Sequence, residues 1–164
     1  MFCDKIEKIC NENKKVALFV DIDGTIAEYE VFDENFITNQ TKDIFLNVRP
    51  INVVIENLRK IQDIQNLDIY ILSLAKSKII IEEKKQWLKK YVPFIPEENY
   101  IILCRENEDY NSENREYVKS DKMKEKLNKY SFVMLLDDEH KILRRTKKEL
   151  KDKGCVFHIS SAII

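Results

Sequence analysis

Asp21 and Asp23 follow the unbroken apolar run Val16-Ala17-Leu18-Phe19-Val20 and precede Gly24, the first of only two glycines in 164 residues. A short continuous apolar run reads as a buried parallel strand. Residues two apart on an extended chain share a side. Both carboxylates can therefore converge just past the strand's carboxyl end, where open α/β sheets bind ligands. Carboxylates held close repel, which raises one pKa or recruits a cation. Taken alone, the same residues also describe a strand end and an Asp-Gly turn, so further groups must decide. Ser73 closes the run that starts at Asp68, Asp137-Asp138 follows Phe132–Leu136, and Lys119 and Lys122 open the stretch ahead of that last run. Asp21, Asp23 and one of Asp137 and Asp138 offer an all-oxygen site of the kind Mg²⁺ prefers. A carboxylate beside Mg²⁺ can attack phosphorus to give an aspartyl-phosphate. A second can protonate the leaving group and later activate water. A serine hydroxyl and a lysine ammonium can hold the phosphoryl oxygens and offset charge in the transition state. Ser73 by itself also fits a strand-end cap and Lys119 a surface lysine; the ordered set of four is what makes the pattern specific.

Such a set needs several parallel strands that end on one edge. Apolar runs at 16–20, 68–73, 100–104, 132–136 and 155–159 supply five. Between them the spacing predicts helices: one opened by Pro50 and striped by Val54, Leu58 and Ile61; one over 79–91 with Trp87, Leu88 and Tyr91, stopped by Pro93 and Pro96; one from a Ser120 cap to Tyr130; and one over 141–153 ended by Gly154. Residues 2–13 form a further amphipathic helix with Phe2, Ile6, Ile9 and Cys10 on one stripe. Packing onto the domain is the preferred use of that stripe, and a homodimer contact is the alternative. The alternation of strands and helices predicts an α/β fold, one parallel sheet with helices on both faces and right-handed crossovers. Residues 27–49 are apolar at no steady period, too apolar for a linker and too short for a domain, which suits a small insertion over the strand ends. Residues 105–118 read as a polar loop, either a carrier of specificity or a solvated connector.

Composition narrows the classes. The length fits one domain with one substantial core. Charged residues make up 35%, yet the net charge is −1, which gives no ground for a nucleic-acid or membrane surface. No apolar segment is long enough to span a bilayer, and the N-terminal residues lack the pattern of a signal peptide. Cys3, Cys10, Cys104 and Cys155 are scattered and only two histidines could join them, so neither a zinc site nor a disulfide framework is expected. Free thiols in a reducing cytoplasm are the simplest account.

With these residues in order, the sequence resembles the haloacid dehalogenase (HAD) superfamily of phosphohydrolases over about residues 16–160. Asp21-Ile22-Asp23-Gly24-Thr25 matches its first motif, Ser73 the second, Lys119 or Lys122 the third, and Leu135-Leu136-Asp137-Asp138 the fourth. The resemblance implies a Rossmann-like three-layer sandwich with sheet order 3-2-1-4-5. It implies Asp21 as nucleophile and Asp23 as general acid/base. Mg²⁺ would lie on the Asp21 carboxylate, the Asp23 backbone carbonyl and Asp138, with Asp137 a further ligand or a partner to the ligands. Ser73 and a lysine would hold the phosphoryl group, with Lys119 preferred and Lys122, one turn on, the alternative. Thr25 would be structural. The intervals between motifs leave room for at most a minimal cap, so residues 1–164 are expected to form a single domain. An open site suits a bulky substrate such as a protein, a nucleic-acid end or a lipid-linked phosphate. Yet Phe45-Leu46-Asn47-Val48-Arg49-Pro50 with the paired Asp137-Asp138 is similar to the deoxyribonucleotidase-like branch, whose members cleave nucleoside monophosphates. Tyr29, Phe32 and Phe36 could stack on a base, although core packing also accounts for them. Two other classes compete. A phospho-acceptor receiver domain would place its acceptor aspartate at the end of the third strand, where this chain has Leu103-Cys104. A catalytically silent scaffold would not need the complete set of Asp21, Asp23, Ser73, Lys119 and Asp138.

Overall fold

The computed structural model of the chain describes residues 1–29 and 43–164. Helix α1 spans Phe2–Glu12 and leads into strand β1, Val16–Val20, all five of whose residues are buried. Helix α2 (Asn52–Ile61), strand β2 (Leu67–Ala75), helix α3 (Lys78–Tyr91) and strand β3 (Tyr100–Cys104) follow. Helix α4 (Val118–Glu125), strand β4 (Phe132–Asp137), helix α5 (His140–Leu150) and strand β5 (Gly154–His158) complete the chain. The strands form one sheet in the order β3-β2-β1-β4-β5, and every neighbouring pair is parallel. This is the Rossmann-like α/β arrangement expected.

Alternation along the strands divides the core into two. Val16, Leu18 and Val20 of β1 join Met134 and Leu136 on one face, where Phe2 and Ile6 of α1, Leu58 of α2 and Trp87 and Leu88 of α3 cover them. Ala17 and Phe19 join Val133 and Leu135 on the other face, under Met123 of α4 and Ile142 and Leu143 of α5. Helices cover both faces because a parallel sheet is apolar on both. The stripe of α1 is therefore spent on the core, since Phe2, Ile6 and Cys10 are all buried.

Several boundaries differ from the sequence expectation. Strand β2 runs two residues past Ser73, because its outer end pairs with β3 from Ile71↔Tyr100 to Ala75↔Cys104 after β1 has ended at Val20↔Ile71. Ser73 is thus inside the strand. Helix α4 begins at Val118, and Ser120 lies within it, donating its hydroxyl to the Tyr117 carbonyl rather than capping the helix. Gly154 opens β5 instead of ending α5. The positive φ after α5 belongs to Lys151 (54°), while Gly154 is extended and close-packed, and a β-carbon there would lie 2.5 Å from the Val133 carbonyl. Pro50 precedes α2, whose first residue is Asn52.

The two ends of the 27–49 stretch meet each other. Ala27 bridges Pro50, the Glu28 amide donates to the Arg49 carbonyl at 2.9 Å, and the Ile51 amide to the Ile26 carbonyl at 2.7 Å. Phe32 and Phe36 lie outside the described residues, and Tyr29 is exposed. The stretch over 105–117 is better packed than a solvated connector. Tyr110 is buried and donates to the Ala75 carbonyl at 3.2 Å, and Asp109 accepts the Cys104 amide at 2.7 Å. Among the described residues no helix is long and apolar enough to cross a membrane, and the four cysteines are free.

Candidate active site

Register places the candidate residues. Val20 pairs with Leu136 across the β1–β4 seam, and the Asp21 amide donates to the Leu136 carbonyl at 3.0 Å. Asp21 thus lies level with Asp137 at the carboxyl edge of the sheet. Carboxylate oxygens of Asp21, Asp137 and Asp138 lie within 4.8 Å of one another. Gly24 makes this approach feasible. Its φ is +72°, a conformation other residues resist, and a β-carbon on it would sit 2.3 Å from Asp138 Oδ2.

Two buried lysines enter the cluster from helices on opposite faces of the sheet. Lys119 of α4 pairs with Asp21 Oδ1 at 2.8 Å and donates to Asp137 Oδ2 at 2.6 Å. Lys84 of α3 donates to Asp23 Oδ2 at 2.6 Å, Ser73 Oγ at 3.0 Å and the Leu74 carbonyl at 2.8 Å. Lys122 instead pairs with Glu125 at 3.5 Å on the outer side of α4. Asp137 is held twice, since its other oxygen accepts the Glu139 amide at 2.9 Å. Glu139 in turn receives both nitrogens of Arg115 at 2.6 and 2.9 Å, which ties the end of the 105–117 stretch to the start of α5.

Burial dominates the electrostatics. Asp21 is 6% exposed. Burial pushes its pKa up to about 7, with Asp137 and Asp23 adding to the rise and Lys119 opposing it. Burial alone would lower Lys119, but Asp21 and Asp137 outweigh it and hold the ammonium above its ordinary range. Asp138 is also raised, first by burial and then by Asp137. Fully ionised, the four carboxylates (Asp21, Asp23, Asp137 and Asp138) exceed the two ammoniums by two negative charges. Among the described residues no salt bridge reaches Asp138. An all-oxygen cluster with that excess, packed against a glycine that leaves room for it, fits a hard divalent cation such as Mg²⁺.

The fold therefore brings Asp21, Lys119, Asp137 and Asp138 into one cluster and Asp23 and Ser73 onto a second lysine beside it. Sequence reasoning passed over that lysine. The signal was helical spacing: Lys84, Trp87, Leu88 and Tyr91 fall at i, i+3, i+4 and i+7, which puts a lysine on the apolar face of α3.

A parallel sheet in this order, with an aspartate pair after the first strand and another after the fourth, is that of a HAD-like hydrolase. The chain shares its fold with the HAD domain of effector protein Lem4 from Legionella pneumophila. An inactive mutant of that domain aligns with a TM-score of 0.51 and 14% identity over 88% of this chain and 84% of that one. A second structure of the Lem4 domain aligns at a TM-score of 0.49 and 15% identity over 88% and 86%. Residues 30–113, just over half of the chain, match the family described as 5′ nucleotidase, deoxy (Pyrimidine), cytosolic type C protein, and the chain belongs to that family. The matched span contains Ser73 and Lys84, whereas the four aspartates and Lys119 lie outside it. No curated protein matches the chain.

Proposed function

We propose that this protein is a Mg²⁺-dependent phosphatase that hydrolyses a nucleoside 5′-monophosphate through an aspartyl-phosphate on Asp21. The observation that carries the reading is that the two aspartates sit in different surroundings. Asp21 is buried with Lys119 and the acidic pair, while Asp23, two residues on, is 37% exposed and held by Lys84. Carboxylates in different surroundings can take different roles.

In the first half-reaction an Asp21 oxygen attacks phosphorus and the ester bond breaks. The leaving alkoxide takes its proton from Asp23. In the second, water attacks the phosphoryl group, its proton passes to Asp23, and the Asp21 carboxylate is regenerated with release of phosphate. Ser73, Lys119 and Lys84 hold the phosphoryl oxygens and offset the charge that develops on them. Asp21, Asp138 and the Asp23 backbone carbonyl would hold Mg²⁺, with Asp137 fixing Lys119. Bound there, the cation supplies the positive charge that lets an anionic nucleophile approach an anionic ester. The choice of nucleoside monophosphates follows the family's description alone.

The test is phosphate release from a panel of pyrimidine and purine nucleoside 5′-monophosphates, sugar phosphates, phosphopeptides and 3′-phosphorylated oligonucleotides. Turnover should require Mg²⁺, favour the mononucleotides and vanish in Asp21→Asn. Full activity in EDTA or in that variant would overturn the mechanism. A labelled protein that holds its phosphate without turnover would favour the phospho-acceptor alternative.

A further inference from the structure

Glu83 is a buried carboxylate at 5% exposure, next to Lys84 on α3. One oxygen accepts the Phe45 amide at 3.2 Å, and the other has no partner among the described residues. A carboxylate in that position carries a large desolvation cost and calls for a reason. What it holds is the returning arm of the insertion. One turn further along α3, the Trp87 indole N–H donates to the Val48 carbonyl at 2.9 Å. The Phe45 and Trp87 rings meet edge-on with centroids 5.8 Å apart. The Lys84 ammonium lies 5.3 Å from the centroid of the Phe45 ring. Helix α3 thus grips the 45–48 arm through Glu83 and Trp87, while the lysine between them reaches Asp23 and Ser73.

We propose that Glu83 is a positioning residue for the phosphate site: by fixing Phe45–Val48 against α3 it seats the Phe45 ring beside Lys84 and keeps that ammonium on Asp23 and Ser73. Glu83 touches none of the reacting groups, so its effect passes through Lys84, whose long flexible side chain has no fixed geometry of its own. The inference rests on the phosphatase reading, and its test separates the two.

A double-mutant cycle joins Glu83→Ala with Lys84→Met, read both as kcat and KM on a pyrimidine deoxynucleoside 5′-monophosphate and as Kd for inorganic phosphate. Glu83→Ala should weaken both kcat and phosphate affinity by at least about tenfold, the scale seen when a supporting residue behind a functional one is lost. The double variant should lose no more than Lys84→Met alone. Glu83→Gln keeps an acceptor for the Phe45 amide and should recover most of the loss. An additive cycle, a Gln variant as poor as Ala, or a fall in Tm with kcat and phosphate Kd unchanged would each overturn the inference. If Glu83→Ala does not fold, Trp87→Phe, which removes the N–H given to Val48, takes its place with the same expectations. If wild type hydrolyses no ester, the phosphatase reading falls, and the cycle in phosphate Kd still decides the role of Glu83.

Discussion

Replacing Asp21 with Asn should make the metal-free protein relatively more heat-resistant at alkaline pH even as it abolishes phosphate release. Asp21 is nearly fully buried, and that burial, reinforced by Asp137 and Asp23 against the pull of Lys119, lifts its pKa from 3.8 to about 7. Between those values the native state keeps a proton that the unfolded chain has released. Stability on this group's account therefore falls as pH rises through the window, and the loss persists above it. Each unit corresponds to about 1.4 kcal/mol, so the whole displacement has an upper limit of about 4 kcal/mol. In a chain of this size each kcal/mol moves Tm by roughly 2–4 °C. Asn keeps the shape without the charge, and Lys119 retains Asp137 at 2.6 Å. The assay is thermal unfolding in EDTA from about pH 5.5 to about pH 8, the range in which the shifted group gives up its proton. Wild type should lose several degrees more than Asp21→Asn across that range. Saturating Mg²⁺ should restore the wild-type Tm at the alkaline end by mass action and do less for the Asn variant. Parallel Tm–pH profiles for the two proteins would refute the argument.

Lys119→Met should abolish turnover and cost about 3–5 kcal/mol in urea unfolding, because it strands Asp21 and Asp137 without their shared cation. Lys122→Met, which removes only a contact with Glu125 on the outer side of α4, should change stability by less than about 0.5 kcal/mol. Gly24→Ala combines a left-handed backbone with a β-carbon 2.3 Å from Asp138 Oδ2. It should cost about 1–2 kcal/mol of stability, and calorimetric titration should show weaker Mg²⁺ binding because Asp138 must move away from Asp21.

The sheet and the acidic cluster were legible because each rests on a local signal that the fold leaves intact. An apolar run ending in Asp makes a buried strand with a carboxylate at its edge, and parallel register then carries Asp137 beside Asp21 without further instruction. What escaped the sequence depends on partners distant along the chain. The end of β2 is set by β3, which pairs with it through Ala75 where β1 has already stopped. The start of α4 is set by Val118 packing onto Leu103 and Tyr110, not by a capping hydroxyl. Gly154 is dictated by the Val133 carbonyl 2.5 Å from where its β-carbon would be, a neighbour on another strand.

Lys84 marks the deeper limit. Lysines stand at 84, 85, 89 and 90 of α3, and a charge run of that kind ordinarily reads as a solvated face. Only the apolar spacing of Trp87, Leu88 and Tyr91 singles out the one that turns inward. Its presence also alters the expectation for Asp21 and Asp23. Two carboxylates on a strictly extended chain would share one environment, but the chain bends at Ile22, between them. Asp21 then meets Lys119, which comes from the α4 side of the sheet, and Asp23 meets Lys84, which comes from the α3 side. Because each ammonium arrives from its own helix, two residues of the same type are held at different depths and by different partners. The lysines thus make the two carboxylates chemically unequal, and the sheet edge is where their two helices can reach them.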